Sequence, residues 1–188
     1  EINVDRNNNG GILNAFDINA STTHDGIFID ELTGDLRVGI VHTIENVSLR
    51  TTVGSIIDAD DADDDEVADV LGQTIDLDAN DGNVGFGPVE SAGEASIGEF
   101  GNDLEIDSRR MSSGVGLNDA GDDVALEAVD NIYLTETNEE LRLILSHSYE
   151  GDIRLTVRET ADHDEHLQLI DSGSARFAES NDRQSNPD

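Results

Sequence analysis

The chain contains no cysteine, no tryptophan and, among its ten basic residues, no lysine. Without cysteine there is no disulfide framework, no thiolate zinc site and no cysteine nucleophile. Aromatic residues make up only 4% of the sequence. A core that cannot draw on large rings for buried area must be built from Val, Ile, Leu and Ala. No apolar run approaches the length of a membrane span. Positive charge is equally scarce: 10 Arg stand against 43 Asp and Glu in 188 residues, a formal net charge of -33. That is roughly -0.18 per residue, extreme for a folded domain. Such a chain repels phosphate, which argues against nucleic acid as a partner, and it repels anionic membrane surfaces. Its natural small partners are cations. It begins at Glu1-Ile2-Asn3-Val4 with neither an initiating Met nor a signal peptide, and it reads as a piece of a longer or processed polypeptide.

High charge and a mean hydropathy of -0.41 are also the signature of disorder. The patterning argues the other way. Short period-2 alternations recur along the chain, among them Ile27-Phe28-Ile29, Leu36-Arg37-Val38, Thr74-Ile75-Asp76-Leu77, Leu104-Glu105-Ile106, Ile132-Tyr133-Leu134 and Ile153-Arg154-Leu155. Gly, Asn or Asp bounds each one, which predicts strands and turns. Helical periodicity is confined to one turn at most, over 66–71.

The chain also repeats itself. Ile27-Phe28-Ile29-Asp30-Glu31 matches Ile132-Tyr133-Leu134-Thr135-Glu136, Leu36-Arg37-Val38 matches Leu141-Arg142-Leu143, and His42 matches His147. Ile2-Asn3-Val4-Asp5 resembles Leu104-Glu105-Ile106-Asp107. The division expected is a first unit over 1–103 with an acidic insertion at 58–69, a second, partial unit over 104–177 and a polar tail or loop over 178–188. Self-similarity of this kind points to stacked architecture. The expected fold is all-β, a segment of right-handed parallel β-helix (a solenoid), with β-sandwich repeats as the alternative. Very short strands and few aromatics favour the first.

Gly54-Ser55-Ile56-Ile57-Asp58-Ala59-Asp60, Asn131-Ile132-Tyr133-Leu134-Thr135-Glu136 and Gly151-Asp152-Ile153-Arg154-Leu155-Thr156-Val157 resemble repeat units of the filamentous-haemagglutinin-like giant bacterial surface adhesins. The resemblance covers about residues 26–160. It implies a secreted, cell-surface, β-helical stalk without catalytic residues.

The densest local feature is Asp58-Ala59-Asp60-Asp61-Ala62-Asp63-Asp64-Asp65-Glu66-Val67-Ala68-Asp69. Calcium takes six to eight oxygen ligands, and closely spaced carboxylates on a loop supply them. Asp58, Asp60 and Asp69 fall at positions 1, 3 and 12 of an EF-hand count. Ala62 and Asp63 then break that motif, and a looser Asp-x-Asp-x-Asp reading uses Asp61, Asp63 and Asp65. The candidate ligands for Ca2+ are therefore Asp58, Asp60, Asp61, Asp63, Asp65 and Asp69. The bland reading is a solvated acidic loop. Acidity spread over the whole chain also fits a protein adapted to high salt, where screening replaces any specific ion.

Other constellations are weaker. His163-Asp164-Glu165-His166 has a transition-metal composition but an i, i+3 spacing that wants a helix. Arg109-Arg110 is the one adjacent basic pair, and no nucleophile elbow or phosphate-binding glycine loop is present. The expected function is non-enzymatic: a cation-stabilised, adhesive or structural segment of a large extracellular repeat protein. Its partners would be divalent cations, neighbouring repeats or end-to-end copies of itself, and a cell-surface glycan or protein receptor, with no membrane insertion. The alternatives are a calcium-dependent glycan-binding sandwich and a polysaccharide lyase or hydrolase on a β-helix.

Overall fold

Alternating apolar and polar residues place every second side chain on one face of a strand, and the central strands bury that face. The computed structural model describes residues 2–4, 11–17, 26–59, 67–79, 95–108, 123–138, 140–159 and 167–169. Among the described residues there are fourteen strands and no helix. They are β1 (Ile2–Val4), β2 (Leu13–Asp17), β3 (Gly26–Glu31), β4 (Leu36–Thr43), β5 (Asn46–Thr51), β6 (Ile56–Asp58), β7 (Val70–Leu71), β8 (Ile75–Ala79), β9 (Leu104–Asp107), β10 (Asp123–Ala128), β11 (Ile132–Glu136), β12 (Leu141–Ser148), β13 (Ile153–Val157) and β14 (Leu167–Leu169). Where helical periodicity amounted to one turn at most, Val70 and Leu71 pair with β4 as β7.

The fold is all-β and consists of two parallel sheets. One runs β1-β3-β5-β8-β10-β12-β14 and the other β13-β11-β9-β7-β4-β2, with β6 also beside β4. Every pairing between these strands is parallel. The hairpins of a sandwich are therefore not what builds these sheets. The further alternations Val84-Gly85-Phe86, Val115-Gly116-Leu117 and Ala175-Arg176-Phe177 lie outside the described residues.

Parallel register aligns like with like. In the first sheet Ile29, Leu49, Leu77 and Leu126 stand side by side. In the second, Leu36, Ile56, Ile97, Ile132 and Ile153 do the same. All but Ile153 are almost fully buried. Burying each such side chain contributes about 1.5–3 kcal/mol, so these columns carry the core without aromatic rings.

A polar ladder runs beside the second column. The residue before each aliphatic is Asp35, Ser55, Ser96, Asn131 or Asp152. The backbone N–H of Ser55 donates to Asp35 Oδ1 (2.9 Å), that of Ser96 to Ser55 Oγ (3.0 Å), that of Asn131 to Ser96 Oγ (3.2 Å) and that of Asp152 to Asn131 Oδ1 (2.9 Å). Each short polar side chain thus satisfies a backbone donor in the next row, which strand pairing leaves over at the turn. The turns are packed so closely that Gly54 (φ 112°) has no room for a Cβ, which would run into the carbonyl of Gly34.

β6 and β7 lie end to end along β4: Leu36 pairs with Ile56, and Val41 with Val70. They are one row of the sheet split by the acidic insertion. Counted so, the chain alternates between the two sheets, and strands that match in sequence lie an odd number of rows apart and fall on opposite sheets. β1, β3 and β5 lie in the first sheet, and their counterparts β9, β11 and β13 lie in the second. Pairing is nonetheless reproduced. Ile29 sits between Ile2 and Leu49, as Leu134 sits between Leu104 and Leu155. Even the irregularity recurs: the register steps from Leu13↔Val38 to Asn14↔Ile40, and from Val124↔Leu143 to Ala125↔Leu145.

Candidate functional site

Two excursions leave the second sheet at neighbouring rows, residues 59–69 between β6 and β7 and residues 98–103 between Ile97 and β9. The first departs at Asp58 and returns at Asp69. Its return is fixed by backbone pairing: the Asp69 N–H donates to the Glu105 carbonyl (2.9 Å) and the Val41 N–H to the Asp69 carbonyl (2.7 Å). The Glu105 N–H then donates to Asp69 Oδ2 (3.2 Å). His42 Nε2 lies 2.7 Å from the Ala68 carbonyl, so it holds the same return.

This geometry gathers three acids. One carboxylate oxygen from each of Asp58, Asp69 and Glu105 lies within 4.8 Å of the other two. Asp58 and Glu105 are each 5% exposed, and Asp69, the most open, 8%. Two unit charges at that separation repel by about 3–4 kcal/mol at an effective dielectric near 20. Arg158 Nη2 lies 3.3 Å from Glu105 Oε1. Three carboxylates offer up to six oxygens, the lower end of what calcium takes, and a divalent ion relieves their repulsion directly. The residues present therefore fit a hard cation.

The second excursion is a tight hairpin. Glu99 and Asn102 exchange both backbone hydrogen bonds (2.8 and 3.0 Å), and Gly98 and Gly101 adopt φ of 69° and 91°. At Gly98 a Cβ would strike the Tyr133 carbonyl, so only glycine permits this departure. The hairpin carries Phe100 outward, 83% exposed. Arg154 lies over the Tyr133 ring (4.7 Å) and the Phe100 ring (5.5 Å) and pairs with Asp103. Asp103 also accepts from Thr135 Oγ1 (3.0 Å). Between these groups is a cleft of about 220 Å³ lined by Gly101, Asp103, Glu105, Thr135, Arg154 and Arg158. Glu105 belongs to both the triad and the cleft.

One further acid sits where an aliphatic is expected. Val41, Val70, Ile106, Glu136 and Val157 occupy one register column. Glu136 is fully buried and accepts from Ser108 Oγ (2.7 Å) and the Ser108 N–H (3.3 Å). Burial, with Asp107 nearby, pushes its carboxyl up to about 8, against the pull of the Ser108 hydrogen bonds.

Of the expected calcium ligands, Asp58 and Asp69 are brought together. Asp60, Asp61, Asp63 and Asp65 lie outside the described residues, as do Arg109, Arg110, His163 and His166. Sequence reasoning missed Glu105, because nothing in Leu104-Glu105-Ile106 distinguishes it from any outward strand residue. It missed Phe100, Arg154 and Arg158 for the same reason. His42 and His147, matched in sequence, differ in contact: His42 meets Phe16 and the Ala68 carbonyl, and His147 meets Tyr149. Asp76 and Asp78 lie in β8. No family model matches this chain, and neither a curated protein nor a solved structure does.

Proposed function

We propose that this chain is a non-enzymatic structural and adhesive segment of a large extracellular repeat protein, folded as a right-handed parallel β-helix and stabilised by calcium. The observation that carries the structural reading is the row-by-row continuity of apolar column and polar ladder, from Leu36 and Asp35 to Ile153 and Asp152. Each row repeats the contacts of the last, so stiffness accumulates along the stack. The sequence resemblance to filamentous-haemagglutinin-like surface adhesins supports the same reading and a secreted or cell-surface location. Neighbouring repeats or further copies of the chain would continue the rows at either end, and a glycan or protein receptor would be met along the side.

Asp58, Asp69 and Glu105 would hold the calcium ion. Bound there, it would pin both ends of the acidic insertion to β9. A ligand that binds only the folded state stabilises it by about 2.7 kcal/mol at a hundred times its dissociation constant. The test is thermal unfolding in chelator at low salt, in millimolar calcium at low salt, and in chelator with molar NaCl. Calcium is expected to raise the midpoint of the native chain and to leave the Asp58→Asn, Asp69→Asn double variant unmoved. If NaCl alone matches the calcium effect, or the double variant still responds in full, the acidity is a solvent adaptation and the triad holds no ion.

A further inference from the structure

We infer that the cleft beside the Phe100 hairpin binds one neutral sugar residue of a glycan. Four observations point to it. First, Phe100 is 83% exposed although its ring meets Arg154 and the edge of Tyr133, and it sits on a hairpin that two backbone hydrogen bonds and two left-handed glycines make rigid. In a chain with only five Phe and two Tyr, Phe100 and Tyr133 both meet Arg154, which lines the cleft. The Phe100 ring offers the flat apolar patch that the C–H face of a pyranose covers.

Second, the polar groups beside it are positioned before any ligand arrives. Thr135 Oγ1 donates to Asp103, Asp103 pairs with Arg154, and Arg154 is clamped over Tyr133 and Phe100. Arg158 pairs with Glu105. A preformed array loses little side-chain entropy on binding. It also presents carboxylate acceptors next to guanidinium donors. Adjacent sugar hydroxyls, each both donor and acceptor, match that alternation.

Third, the charge selects the class. Two carboxylates and two guanidiniums leave the cleft neutral, while the whole chain carries -33. An anionic sugar is repelled by the surrounding field. A cationic one finds both carboxylates already engaged by arginine. A neutral polyhydroxylated ring meets neither obstacle.

Fourth, the volume of about 220 Å³ is below the ~300–1,000 Å³ of pockets for drug-sized ligands. It holds one ring, with the rest of the chain running over the open face. Glu105 belongs to both the cleft and the triad, so the cleft is tested with no calcium present.

The test is calorimetric titration, in chelator, of the full chain with cellohexaose, maltohexaose, xylohexaose and mannohexaose. Hexagalacturonate and chitosan hexamer serve as the anionic and cationic controls. At least one neutral hexasaccharide is expected to bind with a dissociation constant below about 1 mM, and Phe100→Ala to weaken it at least tenfold without shifting the unfolding midpoint. Thr135→Val, a second and milder variant, is expected to weaken it several-fold. The inference is overturned if no neutral hexasaccharide binds, if Phe100→Ala binds as the native chain does, or if a charged control binds more tightly. Release of new reducing ends, lost in Glu105→Gln, would also overturn it, since the cleft would then be catalytic.

Discussion

Glu136 offers the sharpest test of the packing. Its register neighbours are Ile106 and Val157, and its carboxyl is raised from 4.5 to about 8 by burial. Below pH 4.5 the group is protonated in both folded and unfolded chains and contributes no pH dependence. Between 4.5 and 8 the unfolded chain releases the proton and the folded chain keeps it, so stability falls as pH rises. Above 8 the full cost is present. A shift of one unit corresponds to about 1.4 kcal/mol, so the span amounts to roughly 5 kcal/mol. Glu136→Gln keeps the shape and removes the proton equilibrium, its amide oxygen accepting from the Ser108 N–H and its amide NH2 donating to Ser108 Oγ. Urea unfolding of both proteins at pH 5 and pH 8.5, in fixed molar NaCl, isolates the effect, because the other titrating groups cancel in the difference. The variant is expected to gain on the native chain by on the order of 4 kcal/mol between the two pH values. A change below about 1 kcal/mol would mean that Glu136 reaches water and that the column is not closed at that row.

The other expectations are more local. Leu77→Ala opens a cavity in the centre of the first sheet, where Leu77 lies between Leu49 and Leu126, and should cost about 2–5 kcal/mol by denaturant unfolding. A cost under 1 kcal/mol would mean that the column is loosely packed. Ser96→Ala deprives the Asn131 N–H of its acceptor and should cost about 1–3 kcal/mol, with faster amide exchange at Asn131 as the local sign. Gly54→Ala forces a Cβ against the Gly34 carbonyl at positive φ. It should lower the unfolding midpoint by several degrees, whereas alanine at Gly101, with open space around it, should cost only the backbone strain of about 1 kcal/mol. In the native chain the stabilisation by calcium should saturate with concentration, whereas screening by NaCl should rise gradually through the molar range.

Strand positions were legible because a period-2 alternation needs only neighbouring residues. Leu36-Arg37-Val38 and Ile153-Arg154-Leu155 announce a buried face and an outer one without knowledge of what pairs with them. The repeat was legible too, since Ile27-Phe28-Ile29 and Ile132-Tyr133-Leu134 compare directly. The column of small polar residues at 35, 55, 96, 131 and 152 was written just as openly. Its meaning depends on which turn lies over which, and irregular spacing hides that.

Composition and alternation by themselves determined an all-β chain with an aliphatic core and an acidic surface, because those properties are local and additive. Tertiary structure alone decided which sheet each strand joins. The insertion at 59–69 splits one row without breaking the alternation between sheets, and matching strands exchange sheets because an odd number of rows separates them. It also decided the sites. Glu105 meets Asp58 and Asp69, and Arg154 meets Phe100, only because parallel rows bring together residues about 36 to 54 positions apart, a distance set by loop lengths that alternation does not encode. Glu136 follows the same logic: its place in the alternation marks an inward position, and only the rows on either side make that position dry.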